Sequence, residues 1–334
     1  MYPTPDRAEA AVSRIMLPAT CGELVQGTLD GVPCLVSCPI DLYGGAELTL
    51  KAEPGWGVPP ESPKAASALC AGLSYLGRPR PGDRFGPGGR LDLVGGLPRG
   101  RGYGSSTTDV GATLYALGQA VGQFVGQFVG QPPGQPLGPA EVARLAVSVE
   151  PSDSTIFAGL ALFDHCGGSF HTDLGSAPAL AVVVIDPGGA VDTVAYNRAD
   201  HRQALRRLAP LHREAFDLLR DGLKRGDHRA VGQAASMSAR AHQAILPNPL
   251  LERTLELADE VGALGVCRAH SGTLLGILLD PADSAVAEVS SFIAKSLDNR
   301  AAVALYSLVD GGPRANTALG GLLWKPGCVT PSPA

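Results

Sequence analysis

Apolar and polar positions first fall into a clear pattern at Ala46-Glu47-Leu48-Thr49-Leu50, whose period of two predicts a half-buried strand. The short apolar run Leu35-Val36-Ser37 lies upstream among glycines. Stretches rich in Pro and Gly over 53–63 and 78–90 predict loops on either side of a short helix over 64–76. Arg90-Leu91-Asp92-Leu93-Val94 predicts a further strand, and a helix is expected from Ser106 to about Ala120. The repeat VGQF, VGQF, VGQP, PGQP over 121–138 then predicts a flexible insertion, because glycine and proline recur in every unit. Another helix follows at 139–149.

The second half starts with an unbroken apolar run, Ala179 to Asp186, with the length and β-branched content of a buried strand. Helical periodicity then dominates 200–222, 228–245 and 249–263, punctuated by Gly226-Asp227 and Pro247-Asn248-Pro249. A strand at 273–279, a helix at 283–297 and a strand at 301–308 complete the pattern. Strands come in clusters rather than in strict βαβ order, which predicts an α+β fold of two lobes. The boundary falls near 172–178, giving an N-terminal domain over 14–175 and a C-terminal domain over 176–325, with residues 1–13 as a loose tail.

Composition narrows the function classes. The 334 residues carry 27 basic and 32 acidic side chains, a net charge of −5, which argues against nucleic acid as the main partner. No stretch approaches a membrane-spanning length of apolar residues, and the N-terminus lacks a signal-peptide core. Seven scattered cysteines without a C-x-x-C pair fit reduced thiols in a cytoplasmic protein.

The chemistry concentrates in Pro98-Arg99-Gly100-Arg101-Gly102-Tyr103-Gly104-Ser105-Ser106-Thr107. Glycines at alternate positions let a backbone turn sharply and approach a ligand. The serines stand where a helix starts, and free N–H groups there favour an anion. The spacing is neither a Walker A loop nor a dinucleotide fingerprint. Two other segments share its character: Pro18-Ala19-Thr20-Cys21-Gly22-Glu23-Leu24-Val25-Gln26-Gly27, and Gly265 to Gly276 with His270-Ser271-Gly272 at its centre.

These three segments, in this order, resemble the motifs of the GHMP kinase superfamily, whose phosphate loop is written P-x-x-x-G-x-G-x-S-S. Thr20 to Gly27, Leu35 to Asp41, and Glu150-Pro151-Ser152-Asp153-Ser154-Thr155 with Leu162 to His165 resemble its L-threonine kinase branch more narrowly. That branch is associated with O-phospho-L-threonine for the aminopropanol arm of cobalamin. Thr20-Cys21 stands where many members carry a lysine, and Thr107-Thr108 replaces a common Ala-Ala.

The resemblance implies a two-lobed fold with its active site in the cleft, using ATP and Mg²⁺ to phosphorylate a small amino-acid substrate. Pro98 and Gly100 through Thr107 would bind the nucleotide, with Arg101 and Tyr103 among them. Ser106 and Glu150 would hold the metal, and Asp153 would deprotonate or align the acceptor hydroxyl. Glu23, Asp41, His270, Ser271 and Gly272 would line the acceptor side, the two carboxylates suiting an ammonium. Each also has a structural reading: a helix end and cap for Glu150 to Asp153, and a strand-end cap for Glu23 and Asp41. The alternatives are another acceptor, such as homoserine or serine, or a catalytically silent ligand sensor. The expected partners are substrate and ATP, with no nucleic acid and no membrane; a homodimer is compatible with the chain.

Overall fold

The computed structural model describes residues 11–78, 80–82, 88–129, 137–282, 285–298 and 300–315, without the side chains of 124–129, 193, 194 and 197. Its spine is an antiparallel hairpin of β1 (Ala11–Leu29) and β2 (Val32–Lys51). Asp30 and Gly31 turn the hairpin with φ of 50° and 83°, the left-handed backbone that a tight turn between twisted strands requires. Most of both strands is buried on both faces; alternation between buried and more open positions is confined to 11–15 of β1 and 46–50 of β2. The expected tail over 1–13 therefore ends sooner, since Ala11 already opens β1; residues 1–10 lie outside the described residues.

On one side of the hairpin lie β3 (Trp56–Gly57), α1 (Pro63–Tyr75), β4 (Gly88–Val94), α2 (Ser105–Val129) and α3 (Pro139–Val149). The β3 pair interrupts the loop expected over 53–63. The helix expected to stop near Ala120 continues to Val129, so the first part of the 121–138 repeat is helical rather than a flexible insertion. Its four-residue unit matches the helical period, which outweighs its glycines. Residues 130–136 lie outside the described residues.

A 3₁₀ turn at Ser154–Ile156 leads into β5 (Ala161–Phe163) and β6 (His171–Asp173). The expected apolar strand is β7 (Ala181–Asp186), buried throughout. Then come α4 (Thr193–Arg198), α5 (Arg202–Arg225), α6 (His228–His242) and α7 (Leu251–Glu260). The chain continues through β8 (Gly265–Arg268), β9 (Leu275–Leu279), α8 (Val286–Ser296), β10 (Ala302–Ser307) and β11 (Arg314–Ala315). Residues 316–325 of the expected second domain lie outside the described residues.

One sheet runs in the order β10-β7-β9-β8-β1-β2-β4-β3, so the α+β expectation holds and the sheet is continuous across the expected boundary. Its early and late strands meet where β1 pairs with β8 at Glu23 and Arg268. The register of β1 shifts between Thr20 and Glu23 and again between Glu23 and Val25. Bulges of this kind re-aim side chains. One apolar core joins β1, β2 and β4 to α1, α2 and α3, a second gathers the distal hairpin with α5 and α6, and a third lies under α7 and α8. No helix among the described residues is long and apolar enough to cross a membrane.

Candidate active site

Gly100, Gly102 and Gly104 have φ of 71°, 110° and 69°, backbone that L side chains rarely adopt. The loop faces two ways in alternation. The three glycines line a cavity of about 280 Å³, together with Ser105, Ser106 and Thr107 at the start of α2. Arg101 and Tyr103 turn away from it. Both donate to one oxygen of the buried Asp186, at 3.0 and 3.2 Å. The expected nucleotide contacts of these two side chains are therefore corrected to anchoring contacts. Pro98 leads into the loop and stays outside the cavity lining.

Backbone hydrogen bonds stitch the three motifs together. The Thr20 amide donates to the Tyr103 carbonyl at 3.0 Å, and its hydroxyl donates to the Gly102 carbonyl at 2.9 Å. The amides of Thr273 and Leu274 both donate to the Arg101 carbonyl, at 2.8 and 3.0 Å. Gly272 makes this approach achievable, since a Cβ there would lie 2.3 Å from the Arg101 oxygen. Gly272 thus packs motif against motif and does not line the cavity, whereas His270 and Ser271 do.

Three helix ends converge on the cavity wall. Lys64 comes from the first turn of α1, Ser106 from the first turn of α2, and Glu150 caps the end of α3. The Lys64 ammonium donates to Ser106 Oγ at 2.9 Å and to the Glu150 carboxylate, which also accepts from the Ser106 hydroxyl. The expected metal pair, Ser106 and Glu150, is thus assembled around a cation. Among the described residues no three His, Cys, Asp or Glu side chains gather as a metal site. Two oxygen donors nonetheless suit Mg²⁺, which keeps waters and phosphate oxygens as its other ligands.

Asp153 sits in the cavity wall, packed against the loop at Gly104. A Cβ on Gly104 would lie 2.8 Å from its Oδ2, and its backbone amide donates to Thr107 Oγ1 at 2.9 Å. Loss of solvent raises its carboxyl to about 6, opposed by Thr107 and reinforced by the charge of Glu150. Glu23 lines the same cavity at the β1 bulge, 3% exposed. Its Oε2 is buried and has no partner among the described residues. Burial first and the nearby Asp153 second push this carboxyl well above its ordinary range.

Asp41 does not join the site. It accepts from the Ser307 amide at 2.8 Å, so it ties β2 to the end of β10 as a strand-end cap. Asp164 likewise serves its own loop, accepting from the amides of Cys166, Gly167 and Ser169. His165 and His270 form an edge-to-face pair, 4.8 Å between centroids, in the wall of the cavity. Burial lowers His165 to about 4 and His270 well below its ordinary value, so both are neutral at pH 7. Gln26 uses its amide N–H on the Arg268 carbonyl, which leaves its oxygen to accept from His270 Nδ1 at 2.6 Å. That contact assigns the proton to Nδ1 and leaves Nε2 as an acceptor.

The sequence reading missed Lys64, Thr20 as a loop anchor, and His165 as a wall of the cavity. Lys64 left a signal: a cation in a first helical turn that holds no acid opposes the helix dipole. Such a local conflict marks a position chosen for something other than its helix.

A glycine loop at a helix N-terminus, an acid–lysine–hydroxyl wall and an aspartate beside them suit the transfer of a phosphoryl group to a small molecule. The comparisons agree. Residues 65–161 match the GHMP kinases N terminal domain and residues 219–295 match the GHMP kinases C terminal domain. The chain is 31% identical over 263 residues to an L-threonine kinase of Citrobacter freundii, covering 79% of this chain and 85% of that one. It is 30% identical to an L-threonine kinase of Salmonella typhimurium, covering 79% and 81%. A crystal structure of homoserine kinase from Cytophaga hutchinsonii shares the fold, with a TM-score of 0.64 at 17% identity over 92% of this chain and 98% of that one. The chain belongs to the GHMP kinase family, ATP-dependent phosphotransferases that act on a hydroxyl group.

Proposed function

We propose that the protein transfers the γ-phosphoryl group of ATP to the side-chain hydroxyl of L-threonine, giving O-phospho-L-threonine. The observation that carries the acceptor class is the orphaned Oε2 of Glu23, buried beside Asp153 in the cavity wall. A buried carboxylate oxygen calls for a cationic partner, and the α-ammonium of an amino acid supplies one while its hydroxyl reaches Asp153. The names of the two curated relatives favour threonine among hydroxyl amino acids.

In this reading the amides around Gly100 to Ser106 and the N-terminus of α2 receive the phosphates. Ser106 and Glu150 would hold Mg²⁺, which would supply charge neutralisation to the phosphate chain. Asp153 accepts or aligns the hydroxyl proton; a carboxyl near 6 is deprotonated at pH 7 and still basic enough to take it. His165 and His270, both neutral, wall the acceptor side without a competing positive charge, the His270 nitrogens being held by Gln26 and Tyr196.

The test is ATP consumption with Mg²⁺ against L-threonine, L-serine, L-homoserine and 1-amino-2-propanol, with products identified by mass spectrometry. Phosphothreonine as the preferred product supports the reading. Faster turnover of another acceptor retires threonine but keeps the chemistry. Nucleotide binding without transfer to any acceptor makes the chain a ligand sensor.

A further inference from the structure

Lys64 has a place that neither its helix nor surface pairing explains. Its ammonium bridges Ser106 Oγ and the Glu150 carboxylate, which are bonded to each other as well. The Glu150 side chain is only 11% exposed, so this is no solvated surface pair. The lysine also sits at a helix start, where the dipole disfavours a cation. A divalent cation drawing on these two oxygens would stand where the ammonium stands, because oxygen ligands of Mg²⁺ lie at about 2.1 Å. Lys64 donates to Oε2 of Glu150 and Ser106 to Oε1, so a cation taking both the hydroxyl and the carboxylate would meet the ammonium's charge at close range. The lysine side chain has a flexible four-carbon stem and lines the same cavity as Gly100, Gly104 and Ser105.

We propose that Lys64 is a resident cation of the Ser106–Glu150 pair. In the empty cleft it holds the two oxygens together. When nucleotide arrives with a divalent cation, Lys64 yields that position and moves onto the phosphate chain. The proposal rests on the kinase reading for the nature of the nucleotide, and its test does not depend on phosphoryl transfer.

The probe is Mn²⁺ in the absence of nucleotide, followed by the paramagnetic resonance of the free ion. Wild type binds it weakly, and Lys64→Met binds it roughly tenfold tighter or more, the scale on which neighbours of a metal ligand act. Lys64→Gln gives the same direction and serves if the methionine variant folds poorly. Glu150→Gln added to either variant removes the gain. A second arm measures a non-hydrolysable ATP analogue in the presence of EDTA. There Lys64→Met binds roughly tenfold more weakly than wild type, because the phosphates lose a charge-assisted partner. Mn²⁺ affinity unchanged in both variants, or metal-free analogue binding unchanged, overturns the proposal. A chain that binds nucleotide but transfers no phosphate fails the kinase reading while both binding arms still stand.

Discussion

At the residue scale, Asp153 and Glu23 share one desolvated wall, and their protons carry the pH behaviour. The Asp153 carboxyl titrates near 6 in the folded chain, against about 4 when unfolded. The folded state therefore holds the proton more tightly, and ionisation carries a stability cost that is absent below about pH 4 and fully present above about pH 6. Asp153→Asn is expected to be more stable than wild type at pH 7 to 8, by on the order of 1–3 kcal/mol, and equal to it near pH 4. Thermal melts across that range check it. With Asp153 in the proposed role, activity is expected to run the opposite way, kcat/KM rising with pH as the carboxyl ionises near 6. In the asparagine variant kcat falls by roughly 10²- to 10⁴-fold and that limb disappears. For Glu23, an ammonium at Oε2 would favour the charged form, so amino-acid binding in the proposed role is expected to release a proton. Calorimetry in buffers of different ionisation enthalpy reads that release, and Glu23→Gln abolishes it while raising KM for the amino acid.

Which residues were legible follows from side-chain direction. Ser106, Glu150 and Asp153 stand at motif positions whose backbone fixes their aim. Arg101 and Tyr103 lie in the same motif, but the alternation of positive-φ glycines with side-chain-bearing residues sends them to Asp186. Asp41 has the apolar setting of a cleft acid and serves a strand end instead. Composition and spacing do not distinguish these cases; register does.

At the scale of elements, the glycines separate into those that shape backbone turns and those that permit contact. Gly226 ends α5 with φ of 64° and has nothing within 4 Å of an added Cβ. Gly226→Ala meets only backbone strain, about 1 kcal/mol, with activity intact. Gly272→Ala meets the Arg101 carbonyl at 2.3 Å and must push the phosphate loop away from the segment around His270. It is expected to destabilise by about 1–3 kcal/mol and to raise KM for ATP, whereas Gly226→Ala leaves KM unchanged. Denaturation and steady-state kinetics on the two variants separate the cases.

The helices after residue 200 were legible because their apolar faces recur with helical period: α5, α6 and α7 fall within the expected spans to a few residues. The β1–β2 hairpin was mostly hidden. Burial on both faces erases the alternation that marks a strand, and only 46–50 kept it in its residue types. Its turn was written as Asp30-Gly31, a hairpin signal in its own right. The short strands β5, β6 and β8 hold too few residues to show any period.

For the molecule as a whole, the seam at Glu23 and Arg268 ties the acceptor wall to the sheet. The buried Arg268 guanidinium donates to Gln243 Oε1 and to the Leu246 carbonyl, both at 2.7 Å. It therefore fastens β8 to the segment that follows α6. Arg268→Ala leaves the Leu246 carbonyl unpaired beside a void, while Gln243 Oε1 keeps the Asn248 amide, and is expected to cost about 3 kcal/mol. Hydrogen exchange would report faster opening of β8 than of the β4 edge.

The contacts of Arg101 and Tyr103 with Asp186 bear on how the nucleotide is captured. Three glycines within the five residues 100–104 would, in a free peptide, sample many shapes. Here the side chains between them are pinned to β7 from behind, the Gly100 carbonyl accepts from the Val191 amide at 2.9 Å, and the amides of Thr273 and Leu274 clamp the Arg101 carbonyl. The conformational freedom such a loop ordinarily surrenders to its ligand is surrendered instead during folding. A nucleotide taken up at this loop would meet a backbone already shaped, and little of its binding energy would go into ordering the loop.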